Sequence, residues 1–375
     1  MFHVTVVVCF LLFKSAMPLS QPAGCKYEDG LFTCGFKTSI PLNALGFDPR
    51  PQRLVIDDVN GALSESSFKN FFQVNVSAFD PNYSSSLTII CTTGGSAVLI
   101  LDNSSFPGMG FYQDVRIINC QFNSIPSGAF TNLGTVNLLS FEGGSIDNLD
   151  INAFLGVNIK KDTTIPTPRG EFALSNTKLA QGGLSRGVLD PFTEASVLTL
   201  NNCRIRVIDF ALFSKMKYLS RISLDNNPFT YIGNNIFNGL ESLRMISMNN
   251  LPWTCSCAAL WFLQFAADKK IDLQGDMMCS SPKEYNRRRI TTYQAEVCGA
   301  VVACPAGLRP MSGICLTWLQ ILSFSLTFLS FGVIVVCIVF ILKNRRDIFW
   351  KTPKKTPVKS VDGHRAAPRR VTPYV

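Results

Sequence analysis

Apolar and polar positions along residues 196–257 follow a pattern that restarts at a fixed interval. The first start reads Leu198-x-Leu200-x-x-Cys203-x-Ile205-x-x-Ile208, followed by Phe213, Met216 and Leu219. The second reads Ile222-x-Leu224-x-x-Asn227-x-Phe229-x-x-Ile232, followed by Phe237, Leu240 and Leu243. A third start, Ile246-x-Met248, runs into Leu251-Pro252-Trp253-Thr254-Cys255-Ser256-Cys257. Starts at 198, 222 and 246 lie 24 residues apart, and self-similarity at such a period marks a stack of repeated coils.

Residues at i and i+2 share one face of a short strand, so Leu198/Leu200, Ile222/Leu224 and Ile246/Met248 predict strands with one buried side. A single coil cannot bury that side alone, whereas stacked coils form a continuous core and a parallel ladder. Cys203 and Asn227 fall where the backbone leaves the strand. A small buried donor there can satisfy carbonyls that the turn strips of partners. Phe213 and Phe237 recur on the return side and fill the space between coils.

The same pattern is legible upstream at Val115-x-Ile117-x-x-Cys120-x-Phe122-x-x-Ile125 and, 24 residues on, at Leu139-x-Phe141-x-x-Gly144-x-Ile146-x-x-Leu149. Asn158 to Gly170 breaks the rhythm and reads as an inserted loop, after which Phe172-x-Leu174-x-x-Thr177-x-Leu179 restores it. Leu54-x-Ile56 and Leu87-x-Ile89 are further strand candidates, 33 residues apart, which places an insertion between them. About seven repeats over 54–250 are expected, together with the strand that begins the segment after them.

The L-x-x-L-x-L-x-x-(N/C)-x-L pattern resembles the leucine-rich repeat, and Pro252-Trp253-x-Cys255-x-Cys257 resembles that family's C-terminal cap. The resemblance covers roughly residues 25–298 and is similar to ectodomains of the Toll and Slit type. It implies an α/β solenoid, a leucine-rich-repeat horseshoe with a parallel sheet on the concave face. It also implies a cap over 251–298 in which Cys255 pairs with Cys279 and Cys257 with Cys298. Leu251 departs from the family, which usually has Asn there. Residues 21–53 correspond to an N-terminal cysteine cap, abbreviated to Cys25 and Cys34 where the family usually has four cysteines.

Both ends of the chain change the picture. The apolar run Val4–Phe13 suits the core of a signal peptide over residues 1–20. Residues 316–342 carry no charge and are long enough for a tilted transmembrane helix, after a juxtamembrane stalk at 299–315. Lys343, Arg345 and Arg346 follow at once, which by the positive-inside rule puts residues 343–375 in the cytoplasm as a basic, disordered tail. The expectation is a single-pass type I protein of the plasma membrane. A lipid-anchor signal would end in its apolar stretch, and this chain continues beyond it. Of the chain's net charge of +9, +8 resides in that tail, where ten Lys/Arg face two Asp, and Lys14 in the signal supplies the rest. The tail's charge fits anionic lipids of the inner leaflet and leaves no footprint for nucleic acid.

Thirteen cysteines fit a secretory route, in which disulfides persist. For Cys255-x-Cys257, zinc is a competing reading. Zinc knuckles prefer wider spacing, so no metal is expected. Cys120 and Cys203 occupy the turn position and are read as buried thiols. Cys304 and Cys315 are read as a pair close to the membrane, and Cys91 is left without a partner, either buried or free to link two chains. Asn75, Asn82 and Asn103 each begin an N-glycosylation sequon.

Catalysis finds little support. The only histidines are His3 and His364, in the signal and the tail, which removes His-dependent triads and His-ligated zinc from the ectodomain. No phosphate loop is present, and neither an enzyme activity nor a cofactor is expected. The functional surface expected from the resemblance is the concave strand face. Most of its outward positions are Ser and Asn, as in most such repeats. Arg116, Ile118, Glu142 and Asp225 depart from that composition and are the ligand-binding candidates. The chain thus reads as a cell-surface recognition or adhesion receptor, or a co-receptor, for a protein or glycan ligand. A second reading is an auxiliary subunit of a channel or receptor complex in the same membrane, acting through the helix and its flank.

Overall fold

A computed structural model describes residues 25–28, 31–35, 52–62, 83–92, 97–299, 308–311 and 314–349. Residues 1–20, Asn75, Asn82, Cys304 and the tail beyond 349, all subjects of expectations above, lie outside the described residues. The chain divides into a repeat body and a second unit that contains the long C-terminal helix.

The repeat body is built on one eleven-stranded sheet whose strands follow one another in sequence order. They are β1 (Cys25–Glu28), β2 (Leu31–Gly35), β3 (Arg53–Val59), β4 (Ser86–Cys91), β5 (Asp114–Ile118) and β6 (Leu138–Glu142). The series continues with β7 (Glu171–Ser175), β8 (Val197–Asn201), β9 (Arg221–Ser223), β10 (Met245–Ser247) and β11 (Asp272–Gln274). β1 and β2 pair antiparallel and set Cys25 opposite Cys34, and every later pairing is parallel. Strand alternation explains the burial. Leu198, Leu200, Ile222, Leu224, Ile246 and Met248 are fully buried, while Thr199, Ser223 and Ser247 between them face outward. Each such apolar side chain contributes roughly 1.5–3 kcal/mol when buried.

Behind the sheet, the return segments are held by rings. Phe106, Phe130 and Phe154 stack coil on coil with centroids 5.4 and 5.5 Å apart, Phe192 continues the column at 5.2 Å from Phe154, and Phe172 of β7 packs against both. Phe213 and Phe237 stack at 6.3 Å farther along.

At the turn position the expected carbonyl partners are present. Asn227 Nδ2 donates to the carbonyls of Leu200 and Leu224, and its Oδ1 accepts from the Cys203 and Ile205 amides. Thr177 Oγ1 donates to Phe141 O and Gly143 O, and the Cys203 thiol to Leu174 O and Asn201 O. Burial pushes the Cys203 thiol up to about 12, and the Thr177 amide offsets this only slightly.

Cys120 corrects the sequence reading. It is not a thiol but is bonded to Cys91, with Cα atoms 5.0 Å apart. Cys91 lies four residues after Leu87 and Cys120 five after Val115, so the spacing hides their correspondence. The parallel pairing of β4 and β5 sets Ile90 beside Ile118 and thereby brings the two strand ends together.

Past β10, Leu251 stands at the turn position and is buried, which ends the polar ladder in an apolar plug. Trp253 packs beneath it, fully buried, edge-on to Phe229 and stacked on Phe262. Phe262, Leu263 and Ala266 are the buried face of α1 (Trp261–Lys269), which covers the last coil. Trp261 Nε1 donates to Ile232 O, and Phe265 stacks on Phe237. Disulfides Cys255–Cys279 and Cys257–Cys298 fasten the segments that follow.

The second unit contains α2 (Trp318–Phe349). Its stretch Trp318–Lys343 has mean hydropathy 2.8 and is long and apolar enough to cross a membrane. Two differences from the sequence reading concern its ends. Leu316 and Thr317 belong to a short strand, Ile314–Thr317, and the helix continues through Phe349 into the stretch expected to be without structure. Lys, Arg and Asn after the apolar run are compatible with helix, and the first proline after them is Pro353.

Candidate functional site

The parallel register turns the open face of the sheet into rows that run across the coils. One row, at the middle of each strand, reads Val55, Thr88, Arg116, Ser140, Ala173, Thr199, Ser223 and Ser247. The next, at the strand ends, reads Ile90, Ile118, Glu142, Ser175 and Asn201. Arg116 and Ile118 therefore lie two residues apart on one face of β5, with Glu142 beside Ile118 on β6. Arg116 and Ile118 are half-buried and Glu142 is exposed. Among the described residues the Glu142 carboxylate makes no ion pair or side-chain hydrogen bond.

Asp225 is not part of that cluster and lies three coils farther on. Its carboxylate accepts from the Asn249 amide at 2.7 Å and from Ser247 Oγ at 2.8 Å. Its own amide donates to Asn201 Oδ1, and Asn249 Oδ1 in turn accepts from the Asp276 amide. The side chains of Asn201, Asp225 and Asn249 thus stitch each coil to the next, and Asp225 is a member of this ladder.

A neighbouring row explains the recurrent asparagines. Asn119, Asn176, Asn202, Asn226 and Asn250 all have φ between 52° and 59°, and Gly143 completes the row at 73°. This left-handed conformation costs Asn less than most residues and Gly nothing, so backbone geometry alone accounts for the residue type there. Gly144 is tighter still. A Cβ at its position would run into the Cys120 carbonyl oxygen.

The inserted loop contributes what the sequence did not reveal. Residues 162–170 fold back over the starts of the preceding strands. Asn137, buried, uses its whole amide to hold them: Nδ2 donates to Asp114 Oδ1 and to Thr167 O, and Oδ1 accepts from the Arg169 and Gly170 amides. Gln113 Nε2 reaches Asp162 Oδ2, and Ser84 Oγ shares a hydrogen bond with Thr167 Oγ1. Burial raises the Asp114 carboxyl above its ordinary value, against the opposing effects of the Asn137 hydrogen bond and of Arg169 and Arg116. Glu171, next to this loop, accepts from Thr199 Oγ1 at 2.9 Å. The central coils therefore carry a mosaic of both charge signs: Asp114, Arg116, Glu142, Arg169 and Glu171. The available signal was the polar Asn137 directly before the buried Leu138 and Leu139.

Of the remaining expected sites, Asn103 is exposed in a turn whose Ser105 hydroxyl is buried against Asp102. Cys315 lies in the strand Ile314–Thr317.

The leucine-rich repeat family model matches residues 193–250. A Lymnaea stagnalis protein named as a candidate neurotrophin receptor, LTRK 1, is 29% identical over 110 residues, which are 29% of this chain and 13% of that protein. The chain thus matches only a small part of that relative's length. Human 5T4, also called Wnt-activated inhibitory factor 1 or trophoblast glycoprotein, superposes with a TM-score of 0.39 at 17% identity, over 76% of this chain and 98% of the 5T4 chain. A chain from an octameric complex of latrophilin 3, Unc5D and the FLRT2 leucine-rich repeats gives 0.35 at 13% identity, over 76% of this chain and all of that one. With its parallel coils, its ladder of turn-position side chains and its cysteine-rich C-terminal cap, the chain folds as a leucine-rich-repeat solenoid, and one helix able to cross a membrane follows the repeats.

Proposed function

We propose that the chain is a cell-surface recognition or adhesion receptor, or a co-receptor, whose repeats bind a protein ligand on the concave face around Arg116, Ile118 and Glu142. The observation that carries this reading is the juxtaposition of those three side chains on adjacent strands. A cation, an apolar side chain and an unpaired carboxylate there interrupt a face otherwise made of small polar residues. Complementary charge would steer and orient a partner, and Ile118 would supply the desolvated centre that interfaces need. The description of the mollusc relative as a receptor points the same way. The apolar helix anchors the repeats as a type I single-pass protein of the plasma membrane. The basic residues after it face the cytoplasm, where anionic lipids attract each Lys or Arg by about 1 kcal/mol. The chain has no catalytic role in this reading and leaves signalling to its partners.

Proximity labelling on cells tests this with three forms: the full chain, the full chain with residues 316–375 exchanged for an unrelated anchor, and Arg116→Glu combined with Glu142→Arg. The expected result is an extracellular or neighbouring-cell protein captured by the first two forms. The charge-reversed form should lose at least about tenfold in capture. Capture of a multi-span protein of the same membrane that depends on residues 316–375 and ignores the charge reversal would overturn the proposal in favour of an auxiliary subunit.

A further inference from the structure

Where the strands of the last coils end, a groove of about 660 Å³ lies between the left-handed asparagine row and the C-terminal cap. That volume falls within the range of small-ligand sites, about 300–1,000 Å³. Asn202, Asn226 and Asn250 line one wall, and Arg204 and Arg287 contribute from the two ends of the lining sequence. We propose that this groove binds an anionic carbohydrate, a sugar chain bearing carboxylate or sulfate groups. The inference is independent of the concave-face reading.

Charge is the first argument. Among the described residues neither Arg204 nor Arg287 makes an ion pair or a side-chain hydrogen bond, and the lining carboxylate, Asp276, is engaged by Arg289 at 3.4 Å. The groove therefore presents two uncompensated guanidinium groups, the side chain best suited to carboxylate and sulfate oxygens. Arg204 comes from the coil that follows β8 and Arg287 from the C-terminal cap.

The asparagines decide what kind of anion fits. Asn202 Nδ2 donates to Asn176 Oδ1, and Asn250 Nδ2 to Asn226 Oδ1. What remains to a ligand is a mixed row: Asn202 Oδ1 and Asn250 Oδ1 accept, while Asn226 keeps both its N–H groups and Asn202 and Asn250 one each. A sugar hydroxyl both donates and accepts and can meet either kind. The side-chain carboxylates of an acidic peptide only accept and leave the asparagine oxygens to its backbone N–H groups. A polyhydroxylated chain with anionic substituents matches both the mixed row and the arginines.

Backbone geometry supports the same place. Arg204 has φ 58° and Arg287 φ 62°. The coil does not require this at Arg204, because the corresponding positions one and two repeats on are Pro228 and Pro252, whose rings hold φ near −65°. Arg287 follows Asn286 at φ −55°, ψ 129°, and the Arg288 amide closes on Tyr285 O at 2.9 Å. That is a type II turn with arginine at the position where Gly or Asn is the ordinary choice. Both disfavoured arginines line the same groove, and strained residues of this kind cluster at binding sites.

The test titrates the full-length chain in lipid nanodiscs with four probes: a heparin tetrasaccharide, 3′-sialyllactose, a hexaglutamate peptide and inorganic sulfate. Binding of at least one sugar, tighter than hexaglutamate or sulfate, is expected, and 3′-sialyllactose, which carries a carboxylate and no sulfate, tells whether carboxylate alone suffices. Arg204→Asn and Arg287→Asn should each weaken it about tenfold. Their melting midpoints should hold or rise, because Asn tolerates the left-handed conformation. Asn226→Asp, which replaces two free N–H donors by a carboxylate, should also weaken sugar binding and serves if an arginine variant fails to fold. Failure of both sugars to bind, equal binding by the folded variants, or equal affinity for hexaglutamate or sulfate would each overturn the proposal.

Discussion

Two regions of one solenoid solve the same problem differently. From β8 to β10 the coils repeat every 24 residues, and neighbours are joined by side-chain hydrogen bonds: Asn227 inside the turn, and Asn201, Asp225 and Asn249 on the open face. From β4 to β7 the spacing is irregular, and neighbours are joined by the Cys91–Cys120 disulfide and by a loop that Asn137 pins across the strand starts. Equal coils can share one small motif because each presents the same groups at the same height. Unequal coils keep it only at Thr177, which reaches Phe141 O and Gly143 O, and add a covalent bond and a buried amide fitted to one place. The irregular region is also where Arg116, Ile118, Glu142 and Glu171 depart from the Ser and Asn of the regular face.

Gly144→Ala would drive a methyl group into the Cys120 carbonyl and hold a left-handed conformation besides, so the central coils should lose their fold, a cost above about 4 kcal/mol in thermal unfolding. In the regular region, Asn227→Ala leaves two buried amides and two carbonyls without partners and should cost about 3–5 kcal/mol. Replacing both Cys91 and Cys120 by Ser should cost about 2–4 kcal/mol, and limited proteolysis should then begin in the irregular half. If the cuts appear instead between β8 and β10, the contrast between the regions is wrong.

Cys203 is buried and its thiol is raised to about 12, so maleimide should label it only when the chain unfolds. Ready labelling of Cys203 in a folded Cys337→Ser chain at pH 7 would show that the regular coils open locally. Asp114 supplies a pH dependence. Its folded carboxyl lies above the ordinary 3.8, so its linked stability is complete below that value and declines as pH rises through the raised one. Asp114→Asn keeps an acceptor for Asn137 and removes the charge. It should flatten this decline and raise stability at pH 7 by about 1 kcal/mol or less.

The solenoid was legible because its signal is local and repeated. Leu198/Leu200 and Ile222/Leu224 give the strand face, Cys203 and Asn227 the turn, and Phe213 and Phe237 the return side. The candidate site was legible in part. Arg116, Ile118 and Glu142 could be placed on the open face by alternation, and parallel register then set them side by side. Asp225 also sits at an outward position by alternation, but its carboxylate closes a ladder to Asn249 and Ser247, an arrangement that needs the next coil at a known height. Asp114, Asn137 and Arg169 were not legible as a group, because a loop far along the chain brings them together.

The chain's order of apolar residues by itself determined that coils form, how far each extends and where an apolar helix follows them. A strand face and a turn depend on neighbours within one period, and that information is written consecutively. Which cysteine meets which, which carboxylate is engaged and which asparagine holds a loop were decided only by stacking. Parallel register converts an offset of one residue between Cys91 and Cys120 into bonding distance, and a fold that places residue 167 over residue 137 buries an amide whose partners no local spacing announces.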